Sequence, residues 1–198
     1  GEEPNDHYTY NPEDPVPSVL DPDSPAPPRD AHVLAIDYRY ALRREDILVY
    51  TSAPLEAEFE LTGNAFIILY AASDCVDTDW MALLSDVSPD GKSIPLTSAV
   101  MRASYRAGAS KIDSPAPTPI SPREVYEYTI EFMATSMAFQ PRHRLRLAVT
   151  SSMFPAYDLN PNTGAPIGED VPSQLSNQTI YHSAEYPSHV LLPVVKKR

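Results

Sequence analysis

The chain has 198 residues, a net charge of −12, 42% hydrophobic residues and an unusual 22 prolines against 6 glycines. That apolar fraction at this length supplies a core and excludes wholesale disorder. The negative balance excludes a nucleic-acid binder, which needs a basic footprint to displace counterions.

Residues 1–30 hold eight carboxylates, eight prolines and one base, Arg29. Each proline fixes its own φ and biases its predecessor away from helix, so the segment is expected to be an extended acidic arm. Tyr8 and Tyr10 alternate with Thr9 and give this arm the means to dock on a surface. The sandwich domain is expected to run from 31 to 198.

From about residue 31 the hydrophobic period is two. Glu56–Gly63 alternates Glu and Thr with Ala57, Phe59 and Leu61. Ala65–Ala72 is apolar on both faces and predicts a central strand. Asp79–Val87 and Ile94–Arg102 follow, separated by the turn signal Pro89-Asp90-Gly91-Lys92. Val125–Phe132 and Arg142–Thr150 alternate strictly, and Val190–Val195 carries Pro193, which confines it to an edge or a bulge. Alternation of this kind marks half-buried antiparallel strands, and no segment sustains a 3.6-residue period. The expected fold is a single all-β sandwich.

The longest apolar run, Ala65–Ala72, is far shorter than the ~20 residues of a spanning helix, so no membrane partner is expected. The lone Cys75 excludes an internal disulfide and fits a reducing compartment, with the cytoplasm as the expected setting. The chain opens on Gly1 without an initiator methionine, which fits a segment of a longer protein.

Nucleophile elbows, metalloprotease helices and phosphate-binding glycine loops are all missing from the sequence. The five histidines are scattered, and no cofactor is expected. Asp74, Asp77 and Asp79 crowd into six residues between two strands. They read as a structural turn whose acids pair with an arginine (Arg102, Arg144 or Arg146), with Asp77, Asp79 and Arg144 singled out; a calcium site is the alternative. The long loop from Phe154 to Gly164 includes Tyr157, Asn160 and Asn162, residue types that suit sugar stacking, domain packing or a self-packed turn.

Several segments resemble a known family in order and spacing. Asp46-Ile47-Leu48-Val49-Tyr50-Thr51-Ser52-Ala53-Pro54-Leu55 is followed by Asp77-Thr78-Asp79-Trp80 and Asp86-Val87-Ser88-Pro89-Asp90-Gly91. His143-Arg144-Leu145-Arg146-Leu147, Ser151-Ser152-Met153-Phe154-Pro155, Asn160-Pro161-Asn162-Thr163-Gly164 and Tyr186-Pro187-Ser188-His189-Val190 complete the series. Together they resemble the C-terminal domain of the X-Pro dipeptidyl-peptidase and cocaine-esterase family of serine hydrolases.

The resemblance implies a galactose-binding-like jelly roll that follows an α/β-hydrolase domain. It implies that the Ser-Asp-His triad lies in that other domain and that no catalytic residue lies here. The expected partner is the hydrolase domain of the same polypeptide, with a homodimer left open. The expected role is to brace that domain and shape its pocket. Residues expected to face it are Tyr8, Tyr10, Phe154, Tyr157, Asn160 and Asn162, with Val19 and Leu20 where relatives carry paired glycines. Arg142 likewise stands where relatives carry glycine, and Trp80 where they carry Phe. A free-standing carbohydrate-binding module is the rival reading, with Trp80 and the tyrosines as its stacking platform.

Overall fold

A computed structural model describes residues 4–18, 43–107, 116–166, 168–169 and 171–195. The described residues contain twelve strands and no α-helix. In chain order they are β1 (Asp6–Tyr10), β2 (Leu48–Thr51), β3 (Phe59–Gly63), β4 (Phe66–Ser73), β5 (Asp79–Val87) and β6 (Ser93–Arg102). A short 3-10 turn at Ala103–Tyr105 precedes β7 (Tyr126–Glu131), β8 (Thr135–Phe139) and β9 (Arg144–Thr150). The series closes with β10 (Ser176–Tyr181), β11 (His189–Leu191) and β12 (Val194–Val195).

Every pairing between named strands is antiparallel. The first sheet runs β1-β10-β4, with β11 beside β10 on the same edge of β4 and β7 on the other edge. The second runs β2-β9-β5-β6, and a small third one runs β12-β3-β8. The all-β sandwich expected from the alternation is the fold observed. β4, apolar on both faces, is central as predicted. β5 is buried at all nine positions, because one face looks into the sandwich and the other is covered by loops.

The two large sheets meet through alternating side chains. Trp80, Ala82 and Leu84 of β5 point inward and meet Ile67, Leu69 and Tyr128 of the first sheet in one core cluster. The Trp80 and Tyr128 rings lie 5.5 Å apart; within the third sheet Phe59 stacks on its register partner Phe139 at 4.9 Å, and both pack into the same core cluster. β6 is an edge strand, so Pro95 removes no ladder bond that a neighbour needs, and a bulge beside it at Leu96 shifts the register between Leu84 and Ser85. Pro193 splits the predicted last strand in two. β11 joins the first sheet and β12 the third, with Pro193 O accepting from Thr62 N–H at the crossing.

The N-terminal arm differs from expectation. Asp6–Tyr10 pairs residue for residue with β10 and is a strand of the sandwich. The reason is local: Pro4 and Pro12 bracket five residues whose Tyr8 and Tyr10 alternate inward and bury themselves in the core.

Candidate interdomain face and its polar anchor

The second sheet has a second apolar face. Val49, Ala148, Leu83, Met81 and Val100 fall on its outer side by the strand registers Val49↔Ala148, Ala148↔Leu83 and Met81↔Val100. Val16, Ile47, Met153 and Tyr157 cover the middle of that face in a cluster separate from the main core. The cover is sewn down by hydrogen bonds. Phe154 N–H donates to Val16 O (2.9 Å), Ser18 N–H to Phe154 O (2.7 Å) and Val16 N–H to Ser152 Oγ (2.9 Å). Tyr157 rests by its hydroxyl 3.4 Å from Ser98 Oγ. Three apolar residues remain outside the cover: Val49 (36% exposed), Val100 (38%) and Phe154 (44%).

Beneath the loop sits a buried polar anchor. Arg102 makes a two-pronged pair with Asp79, Nε to Oδ1 at 2.8 Å and Nη2 to Oδ2 at 3.2 Å. Asn160 Nδ2 donates to Asp79 Oδ1 (2.8 Å), and Asn160 Oδ1 accepts from Asn162 N–H (2.9 Å). Asn162 takes a positive φ of 66°, which asparagine tolerates, and exchanges two bonds with Gln174. Asp77 accepts from Ser104 N–H at 2.9 Å, and burial holds its carboxyl above the usual range. The Tyr10 hydroxyl reaches Asn160 O at 3.3 Å, and that of Tyr8 lies 2.9 Å from Ser151 Oγ.

These positions correct several expectations. Tyr8, Tyr10, Asn160 and Asn162 do not face a neighbour; all four are buried inside this domain, because their polar ends find partners there. Phe154 alone is turned outward, and Tyr157 is half-buried. Val19 and Leu20 lie outside the described residues. Arg144 is not the partner of the aspartates. The β5–β6 register sets Arg102 opposite Asp79, whereas Arg144 lies opposite Val87 at the far end of β5 and donates to Ser52 O. Nor do the three aspartates converge: Asp74 turns to Asn177, and a guanidinium already sits on Asp79 and near Asp77 (3.9 Å) where a calcium ion would have to lie. Among the described residues no group of three metal-ligating side chains gathers.

The aromatic stock for sugar stacking is elsewhere engaged. Trp80 is fully buried, and the Tyr70, Tyr181 and Tyr186 rings cross at 52° and 63°, which is no flat platform. His143 Nδ1 donates to Asp86 at 2.8 Å, an imidazole–carboxylate pair at the far end of β5. Cys75 is buried, and burial together with Asp74 pushes its thiol up to about 11.

Residues 6–191 match the family described as the X-Pro dipeptidyl-peptidase C-terminal non-catalytic domain. The chain belongs to that family. It is 36% identical over its whole length to the cocaine esterase of a Rhodococcus species, of which it covers 33%. Among solved structures it resembles an aminopeptidase from a marine-sediment Thaumarchaeota archaeon (TM-score 0.87, 29% identity, 99% of this chain and 34% of that one). It also resembles an alpha-amino acid ester hydrolase (TM-score 0.85, 29% identity, 98% and 33%). The chain thus spans about a third of the length of these relatives.

Within this family domain the sequence signal for the anchor was partial. The Asp77-Thr78-Asp79-Trp80 motif and the two asparagines were visible, but their shared partner Arg102 was one of three candidate arginines. Gln178 was missed entirely. Its side-chain amide donates to Thr78 Oγ1 (2.7 Å) and Ser176 Oγ (2.9 Å) at the centre of the fold. A buried glutamine on a strand of Ser, Asn and Thr leaves no hydrophobic alternation to read.

Proposed function

We propose that this domain braces an α/β-hydrolase domain of the same polypeptide and shapes its substrate pocket. The whole protein would cleave an ester or amide bond through a serine acyl-enzyme. The observation that carries this reading is the outer face of the second sheet, where Phe154, Val49 and Val100 stand exposed around a loop held rigidly by the Asp79–Arg102–Asn160 anchor. A domain with no partner gains nothing from fixing an exposed phenylalanine so firmly, whereas an apolar patch on a rigid base is what a docking face requires. The relatives' length, three times that of this chain, and their names as esterase, aminopeptidase and ester hydrolase support the partner's identity.

The test is Phe154→Asp in the full-length hydrolase. The substitution is on the surface, so the chain alone should melt within about 0.5 kcal/mol of its parent. In the full-length protein the same change should lower the melting temperature of the catalytic part and raise KM for its substrate. Unchanged full-length stability and kinetics, or ester hydrolysis that copurifies with this chain alone, would overturn the reading.

A further inference from the structure

Between the two large sheets the sandwich is not fully closed. A cleft of about 590 Å³ opens beside β2 and β11. Ile67, Leu69 and Ile180 of the first sheet face Leu84, Leu147 and Val149 of the second across it. These side chains belong to the inner faces, yet Leu147, Tyr50 and Val190 stay only partly buried because nothing fills the space. Packing at native density would close such a gap. Volumes of this size with mostly apolar walls and a few convergent polar groups are the usual form of a small-molecule site.

The polar groups gather at one end. Asp6 is the single carboxylate lining the cleft among the described residues, and no lysine or arginine lines it. The Tyr50 hydroxyl donates to Asp6 Oδ2 at 2.7 Å, and His182 Nε2 stands 3.3 Å from the same oxygen. The tyrosine bond therefore fixes the carboxylate through Oδ2, and Oδ1 is left without a partner among the described residues. The Asp6 side chain is 38% exposed at the rim, so a ligand can reach it without the fold opening. A carboxylate held by one oxygen and offering the other at the mouth of an apolar slot selects a donor with positive charge.

We propose that this cleft binds a small organic cation, its ring or alkyl body between the sheets and its primary ammonium group on Asp6 Oδ1. Neither an anion nor a neutral alcohol meets the same carboxylate as well. The proposal does not depend on docking to a hydrolase domain, since the cleft lies between the sheets and the docking face lies on the outside of one of them.

Calorimetric titration of the chain with phenylbutylamine, phenylbutanol and phenylbutyrate, which share one apolar body, tests it at mildly alkaline pH. The amine should bind, with the alcohol weaker by about tenfold, the scale of one charge-assisted hydrogen bond, and the carboxylate weaker still. Asp6→Asn should bring the amine down to the level of the alcohol. Leu147→Trp, which fills the slot, should abolish binding of all three; should that variant not fold, Asp6→Asn decides alone. No binding of the amine, equal binding of the three ligands, or amine affinity that survives Asp6→Asn would overturn the proposal. So would loss of amine binding in the full-length hydrolase, because a neighbouring segment would then fill the cleft.

Discussion

Arg102 and Asp79 face each other as a register pair of β5 and β6 and close a two-pronged ion pair at 2.8 and 3.2 Å, both side chains largely removed from water. Neither charge can be left alone at that depth. Asp79→Ala or Arg102→Ala should each cost about 3–5 kcal/mol, the penalty for an uncompensated buried charge. The double substitution should cost clearly less than the sum, which urea unfolding of the four proteins measures. Additive losses would mean that the pair is not coupled.

Asp74 gives a pH signature. Burial pushes its carboxyl up, but the side-chain and backbone N–H groups of Asn177 (2.7 and 2.8 Å) outweigh burial and hold it below the usual carboxylate range. A depressed native value means that the stabilisation is present above the unfolded-state value and is lost as pH falls through the folded one. Asp74→Asn should therefore destabilise the domain by about 1 kcal/mol at neutral pH, a modest figure for a largely solvated group. The melting curves of the two proteins should converge in acid.

Arg142 holds φ at 70°, in the left-handed region that side chains other than glycine adopt at a cost. Its N–H donates to Leu55 O in the turn before β9, so the conformation is fixed by the fold. Arg142→Gly should stabilise the domain by about 0.5–1 kcal/mol, while Arg142→Ala should not. Equal melting temperatures for the glycine and alanine variants would refute the strain.

Cys75 and Trp80 report the same interior by two routes. With its thiol pushed up to about 11 and its side chain buried, Cys75 should react with disulfide reagents at neutral pH only after unfolding. Trp80 emission should be blue-shifted, shielded from acrylamide and indifferent to added sugars until the same transition. Quenching by acrylamide in the native state would contradict the buried placement of Trp80.

The strands that bury apolar side chains on one face were legible because their alternation is strict: β3, β5, β7 and β9 fall within predicted segments, and β4 and β6 overrun theirs by one residue each, Ser73 and Ser93. β10 was not, because Ser176 and Gln178 on its inward face satisfy a buried hydrogen-bond network and so break the apolar period. β8 and β2 are short edge segments whose identity comes from their neighbours rather than from their own pattern. The candidate site was half legible. Phe154 was visible as an aromatic in a long loop, but whether Tyr8, Tyr10 and Asn160 look inward or outward depends on contacts about 80 to 150 positions away in the chain.

β1 and β10 have a consequence for synthesis. Their partners lie far apart in the chain, with His7 meeting Thr179 at a separation of 172 positions. At roughly 5–20 residues per second, β1 leaves the ribosome about 10–30 seconds before its mate exists. For that interval it is an unpaired strand with two bare tyrosines, the kind of edge that templates aggregation. Pro4, Pro12, Pro15 and Pro17 interrupt any extension of the pairing, and Glu2, Glu3, Asp6, Glu13 and Asp14 repel a second nascent copy. The acidic, proline-dense opening thus acts as a gatekeeper during vectorial folding, when topology this non-local makes the wait longest.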